Sequence, residues 1–200
     1  MCVLSDGLLY RFAENYTNLR RHDDGLSVSL SNPATKEFQV CRTTLLPGIL
    51  KTMRQNRGLS IAQGIRLFEI SDVVLRDASN PIGAKNRRRV GALYTGPSAG
   101  LAVVHGLVDR IMELVAVDPT EGYNATDKSR CVLKNSALKY EMAHGEDPAF
   151  LPGQCADIVL KGGKGPMIIG TFGILHPEVL KNFNLEYPCS VLEMDIECFL

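Results

Sequence analysis

The order of patterns along the chain predicts an α+β fold built on a largely antiparallel sheet. Three observations lead there. Strand-like segments cluster, most densely in the last third, where 131–134, 157–161, 167–175 and 190–198 read as strands. Two long segments carry helical spacing instead, one opened around Thr43 or Thr44 and one from Gly100 to about Val117. These helices lie between groups of strands and do not alternate with single ones, as a doubly wound parallel sheet would require.

Taken in order, Leu8, Phe12 and Tyr16 recur every four residues after Ser5-Asp6, with Leu9 and Ala13 beside them, which predicts a short amphipathic helix. The charged run 20–25 then turns the chain. Leu26, Val28 and Leu30 alternate with Ser27, Ser29 and Ser31, the period of a half-buried strand, and Asn32-Pro33 stops it. Thr43 or Thr44 is placed to N-cap a helix whose first turn accepts Pro47 and which runs to about Gly58. Leu46, Leu50 and Met53, with Leu45 and Ile49 alongside, form its apolar face, while Lys51, Arg54 and Arg57 load its last turns with positive charge. The runs 65–76 and 88–95 are β-branched and apolar and flank a polar loop, 77–87, so they predict paired strands. Val104, Val108, Ile111 and Val115, extended by Leu107 and Leu114, follow the spacing of a core-facing helix that Asp118-Pro119 ends. A short helix at 177–183 precedes the last strand, in which Leu192, Met194 and Ile196 alternate with Glu193, Asp195 and Glu197.

Composition narrows the class. With 200 residues, 45% of them hydrophobic, the chain has apolar surface enough for a core, and a single domain over 1–200 is the simplest organisation. Its 22 basic residues balance 22 acidic ones, so there is no overall attraction to RNA or to an anionic membrane, and any nucleic-acid contact must be local. No run of about 18 apolar residues is present to span a bilayer, and no basic region followed by an apolar stretch opens the chain. No membrane partner and a soluble, cytoplasmic protein are therefore expected. Cys2, Cys41, Cys131, Cys155, Cys189 and Cys198 are scattered without a C-x-x-C pair, which predicts reduced thiols and no metal site.

The junction Ser31-Asn32-Pro33-Ala34-Thr35-Lys36-Glu37-Phe38-Gln39-Val40-Cys41-Arg42-Thr43-Thr44-Leu45-Leu46-Pro47-Gly48-Ile49-Leu50 strings unusual local chemistry between a strand and a helix. Phe68-Glu69-Ile70-Ser71-Asp72-Val73-Val74, Gly106-Leu107-Val108-Asp109-Arg110-Ile111-Met112, Phe150-Leu151-Pro152-Gly153-Gln154-Cys155-Ala156 and Gly173-Ile174-Leu175-His176-Pro177-Glu178-Val179 follow it. In that order these segments resemble the C-terminal part of the phenylalanyl-tRNA synthetase beta subunits of eukaryotic and archaeal type. The likeness covers about 28–200, and residues 1–25 match more loosely. It implies a class II aminoacyl-tRNA synthetase-like fold, an antiparallel sheet flanked by helices. It also implies a catalytic-like but inactive module that assembles with a catalytic alpha subunit, two alpha with two beta, in an enzyme that joins phenylalanine to tRNA(Phe) using ATP and Mg2+. No cofactor is implied for this chain. A free-standing paralogue acting as a regulatory or interaction module is the alternative.

Adenylate chemistry needs fixed positive groups around the ATP phosphates. The resemblance asks for an arginine in a Phe-Arg-x-Glu motif and a second after a glycine-rich strand. Arg66-Leu67-Phe68-Glu69 has its arginine before the phenylalanine, and Arg110 falls inside a helix, so no catalytic residue is assigned. The helix from Arg42 to Arg57 and the strand after it stand where the first class II motif makes a subunit interface. Arg42, Leu46, Leu50, Met53 and Arg54 are the candidates for that contact, and the alternative is that the apolar three belong to this domain's own core. Arg87-Arg88-Arg89, with Lys85, is the dense basic run that could meet tRNA phosphate, although no aromatics are interleaved with it for stacking. His176-Pro177-Glu178 reads as a strand-to-helix corner, and Gly162-Gly163-Lys164-Gly165, without the Gly-Lys-Ser/Thr ending of a phosphate loop, as a hairpin turn.

Overall fold

The β-branched runs on either side of Asn80-Pro81 do pair. A computed structural model, describing residues 9, 10, 12–35, 38–120, 138–162 and 165–200, shows this hairpin at one edge of a sheet. Before it come β1 (Leu9–Tyr10), α1 (Phe12–Asn15), a 3-10 turn (Thr17–Leu19), β2 (Val40–Cys41) and α2 (Leu46–Gln55). The hairpin is β3 (Ile65–Arg76) and β4 (Ala84–Thr95), followed by α3 (Leu101–Leu114), β5 (Asp118–Pro119), β6 (Lys139–His144) and β7 (Phe150–Lys161). The chain closes with β8 (Met167–Leu175), α4 (Pro177–Asn182), β9 (Cys189–Asp195) and a 3-10 turn (Glu197–Phe199). β1 pairs with β2, and the other strands form a seven-stranded sheet in the order β3-β4-β9-β8-β7-β6-β5. The α+β expectation holds, and the sheet is mixed because β5 runs parallel to β6.

Alternation along β4 and β9 sorts the core onto the two faces of this sheet. Leu93 and Val191 join α2 and α4 on one side, with Leu46, Ile49, Leu50, Met53 and Val179. Val90, Ala92, Leu192 and Met194 join α3 on the other, against Val104, Val108 and Met112. The backbone of β4 comes close under α2 at Gly91, where a Cβ would stand 2.7 Å from Ile49 Cδ1. A larger side chain there would push the helix off the sheet.

Several expectations are corrected. The hairpin loop is Asp77 to Gly83 and not 77–87, because Asp77 and Gly83 close it (N to O 2.9 Å) with Gly83 at φ 76°, so Arg87 joins Arg88 and Arg89 inside β4. The alternating Leu26–Leu30 stretch is not a strand. It has one bridge, Ser29 to Val40, and a single bond from β3, Arg76 N–H to Leu26 O, and it leaves Leu26 and Leu30 about 40% exposed. The first helix is short: Leu9–Tyr10 joins β2 instead, and residues 1–8 lie outside the described residues. The expected strand at 131–134 also lies outside them. α2 begins at Leu46, so its N-cap is Leu45 and neither Thr43 nor Thr44; Thr44 Oγ1 still accepts from Leu46 N–H, two residues on, at 3.3 Å. α3 stops before Asp118-Pro119 in a left-handed cap. Ala116 at φ 59° lets its N–H reach Glu113 O and Val117 N–H reach Met112 O, the bonding of a Schellman motif with alanine in the glycine position. β7 starts earlier than the sequence suggested, its Pro152-Gly153 step absorbed in a register shift with Gly153 at φ 73°. β6 went unforeseen.

Candidate functional site

Arg42 and Arg89 of the basic run meet the start of α2 beside β3, whereas Met53 and Arg54 lie at the other end of that helix. Arg42 leaves β2 and turns inward. Its guanidinium, 2% exposed, donates from Nη1 to Glu69 Oε1 at 2.9 Å, from Nε to Asp72 O at 2.9 Å, and from Nη2 to Ser71 Oγ. Glu69 is itself 2% exposed, so this ion pair sits wholly inside the chain. A second carboxylate, Glu193 of β9, lies under the start of α2. It accepts from Leu45 N–H at 2.9 Å, from Thr44 Oγ1, and from Arg89 Nη1 at 3.1 Å, while the same Arg89 nitrogen also donates to Thr43 O at 3.0 Å. A negative group at the first turn of a helix meets both free N–H groups and the positive dipole end.

Of the interface candidates, Leu46 and Leu50 are fully buried, Met53 is 4% exposed and Arg42 2%, all within this chain's own core; Arg54 alone of the set is exposed. The helix is packed nearly all round, unlike a surface helix with one free face. Its apolar residues therefore have the core role that the sequence left open as the alternative. In the basic run, Arg87 donates to Asp195 at 2.8 Å, Arg88 pairs with Asp72 across the hairpin, and Arg89 is tied to Glu193. The hydrogen bond from Arg88 holds the Asp72 carboxyl below the usual carboxylate range. The Lys85 ammonium, with Ser79, likewise pulls Asp77 down to about 2.

The two arginines weighed for ATP are far apart in role. Arg66 lies on the edge strand with its guanidinium 5.6 Å from the Tyr94 ring centre, and Arg110, on the outer side of α3, pairs with Glu113. Between them α3 covers the middle of its sheet face with Val104, Val108 and Met112. A cleft of about 200 Å³ opens at the far end of α2, with Met53, Ile61 and Leu185 in its walls and Arg57 and Glu186 at its rim. His176 is an N-cap: its Nδ1 accepts from Glu178 N–H at 3.2 Å, and Pro177 opens α4. Gly162 and Gly165 take φ 132° and 131° in the connection from β7 to β8, which are antiparallel neighbours. Burial raises the thiols of Cys155 and Cys189 to about 11, away from nucleophile chemistry.

Sequence reasoning missed Glu69 and Glu193. The visible signal was steric: Gly91 stands opposite Glu193, and a glycine at that point leaves room for a helix end to descend onto the carboxylate.

Comparison with known proteins adds to this geometry. Residues 5–196 match the family described as phenylalanyl tRNA synthetase beta chain CLM domain. The chain is similar to the cytoplasmic phenylalanine–tRNA ligase beta subunit of Arabidopsis thaliana, 42% identical over 100% of this chain and 32% of that protein. It is also similar to the beta subunits of Homo sapiens, at 45% identity over 87% of this chain and 26% of that one, and of Saccharomyces cerevisiae, at 37% over 94% and 30%. The chain thus spans about a third or less of the length of these relatives.

Proposed function

Because the chain belongs to the phenylalanyl-tRNA synthetase beta-chain family and carries its CLM domain, we propose that it acts as the non-catalytic module of a cytoplasmic phenylalanine–tRNA ligase beta subunit. Its fold is then the class II synthetase-like core, standing beside a catalytic alpha subunit in an assembly of two alpha and two beta chains. The observation that carries this reading is the placement of Arg66 and Arg110. One stacks on Tyr94 at the sheet edge and the other pairs with Glu113 on the outside of α3, so the two do not form a phosphate clamp.

Among the described residues, the carboxylates and arginines beside the hairpin do not fit ATP with Mg2+. Asp72, Asp195 and Glu193, carboxylates near the hairpin, are each matched to an arginine. Adenylate formation and its metal belong in this reading to the alpha subunit. The contribution of this chain is rigidity and surface. With Leu46, Leu50 and Met53 inside, contact by α2 with the alpha subunit falls to Arg54 and the exposed residues after it. Contact of the basic run with tRNA falls to Arg88, the most exposed of the three at 47%.

The test has two arms. The purified chain alone should give no phenylalanine-dependent exchange of pyrophosphate into ATP, and on co-expression it should co-purify with an alpha subunit. Exchange that Arg66→Ala or Arg110→Ala abolishes would overturn the non-catalytic assignment, and failure to bind any alpha subunit would overturn the assembly role.

A further inference from the structure

The cleft of about 200 Å³ beyond the end of α2 has two walls, and the fold pins both. On one side Met53 and Ile61 flank the turn that follows α2, where Asn56 Nδ2 donates to Thr52 O at 2.8 Å, Leu59 N–H to Asn56 O at 3.0 Å and Gly64 N–H to Ile61 O at 2.8 Å. On the other side Leu185 and Tyr187 belong to the connection from α4 to β9. Leu185 N–H donates to Leu180 O at 2.9 Å, Thr95 Oγ1 to Pro188 O at 3.1 Å and Cys189 Sγ to Tyr187 O at 3.4 Å, so this wall is held as well. The opening is preformed, as ligand sites usually are. Its chemistry is divided. Inside, Met53 is 4% exposed, and Ile61 and Leu185 are half-buried against the core on the α2 side. At the rim, Arg57 and Glu186 are exposed, and neither side chain forms an ion pair or a hydrogen bond among the described residues. Two opposite charges thus border one apolar opening without neutralising each other.

We propose that this cleft binds a free α-amino acid with a compact apolar side chain, its carboxylate on Arg57, its ammonium group on Glu186 and its side chain between Met53, Ile61 and Leu185. A zwitterion answers both rim charges at once, and the guanidinium offers a carboxylate two parallel donors. A ligand with one charge leaves the other rim group unmatched, which is where the selectivity arises. Size adds to it: the cleft is smaller than the roughly 300–1,000 Å³ of sites for drug-sized ligands, so a nucleotide is excluded and a molecule of the size of leucine fits. Because both charges face solvent, they contribute modestly, the apolar walls supply much of the binding, and the affinity is millimolar. This inference does not rest on the ligase reading, although Arg57 lies on the surface that reading leaves to the alpha subunit.

Titration of the full chain with L-leucine, followed through the NMR shifts of its backbone amides, tests the proposal. Saturable shifts are expected at Arg57, Ile61, Leu185 and Tyr187. Leucinamide, which lacks the carboxylate, and N-acetyl-leucine, which lacks the ammonium group, should each bind about fivefold or more weakly, and glycine, without a side chain, should leave these amides unmoved. Arg57→Gln should bring leucine down to the level of leucinamide and leave leucinamide itself unchanged. Glu186→Gln should do the same for leucine against N-acetyl-leucine. Both positions are exposed, so both variants should melt as the wild type does. No saturable shift, shifts scattered away from the cleft, or a leucine response that neither rim substitution alters would each overturn the proposal. So would an alpha subunit whose binding both rim substitutions weaken while leucine moves no amide, since the cleft would then belong to that protein partner.

Discussion

On the α2 face of the sheet, carboxylates lie inside the core with arginines and helix amides around them; on the α3 face, Val104, Val108 and Met112 meet Val90, Ala92, Leu192 and Met194. The polar ties on the α3 side carry no buried carboxylate: at the start of α3 the Gly100 N–H donates to the buried Ser190 Oγ at 3.1 Å, and Tyr140 Oη donates to the partly exposed Asp109 at 3.0 Å. Apolar contact stabilises in proportion to area and is indifferent to sliding, whereas a carboxylate that must satisfy Leu45 N–H, Thr44 Oγ1 and Arg89 together accepts one helix position. α2 is thus fixed in position as well as buried. The difference also explains why a helix that reads as amphipathic with a cationic end need not be an interface: its apolar stripe and its first turn are both consumed within the chain.

The largest effect that separates the faces should come from Glu193→Ala. It strips Arg89, Thr44 and Leu45 N–H of their acceptor and should cost ~3–5 kcal/mol in urea unfolding, the range for breaking one side of a buried pair. A loss under ~1 kcal/mol, no more than a surface pair gives, would mean that α2 is held by its apolar contacts alone. Val108→Ala on the other face removes methyl groups only and should cost about 2 kcal/mol, with no change in how the hairpin arginines pair. The smallest effect is a pH dependence that is largest on the α2 side, where Cys155 and Cys189 join the core, although burial also raises the Cys198 thiol beside the α3 core. The Cys155 and Cys189 thiols are raised by burial from 9.0 to about 11, so the protonated form is the one the fold favours. Stability from them is complete below pH 9 and declines as pH rises toward 11. Alkylation at pH 8 should spare both in the native chain and modify both after unfolding. Rapid native labelling of either would place it outside the core.

Much of this was legible in the sequence, for reasons that also mark the limits. β8 spans the residues its apolar run predicted, and the β3–β4 pairing and α3 followed from composition and period, because those elements are set by local pattern. The hairpin came out longer than read, since the polar run 84–87 looks like loop until Asp77 and Asp195 stand beside Lys85 and Arg87. Glu193 is the sharper case. In a chain read alone its alternation with Leu192 and Met194 suggests a wet face, yet β9 is central in the sheet and both of its sides are covered. Which face α2 would lie on, and so whether Leu46, Leu50 and Met53 were core or contact, depended on a sheet order that no local pattern carries. Arg42 was singled out by its place before the helix, but its partner Glu69 lies across a connection whose geometry only the fold supplies.

Thermal melting of the isolated chain carrying Leu50→Asp tests most directly whether the α2 stripe is architecture. An unpaired carboxylate at a fully buried site with no polar partner should remove the cooperative transition, or lower stability by several kcal/mol, while Arg54→Glu melts as the wild type does. A Leu50→Asp chain that melts normally and has instead lost its binding to an alpha subunit would contradict the account and return this face of α2 to the interface.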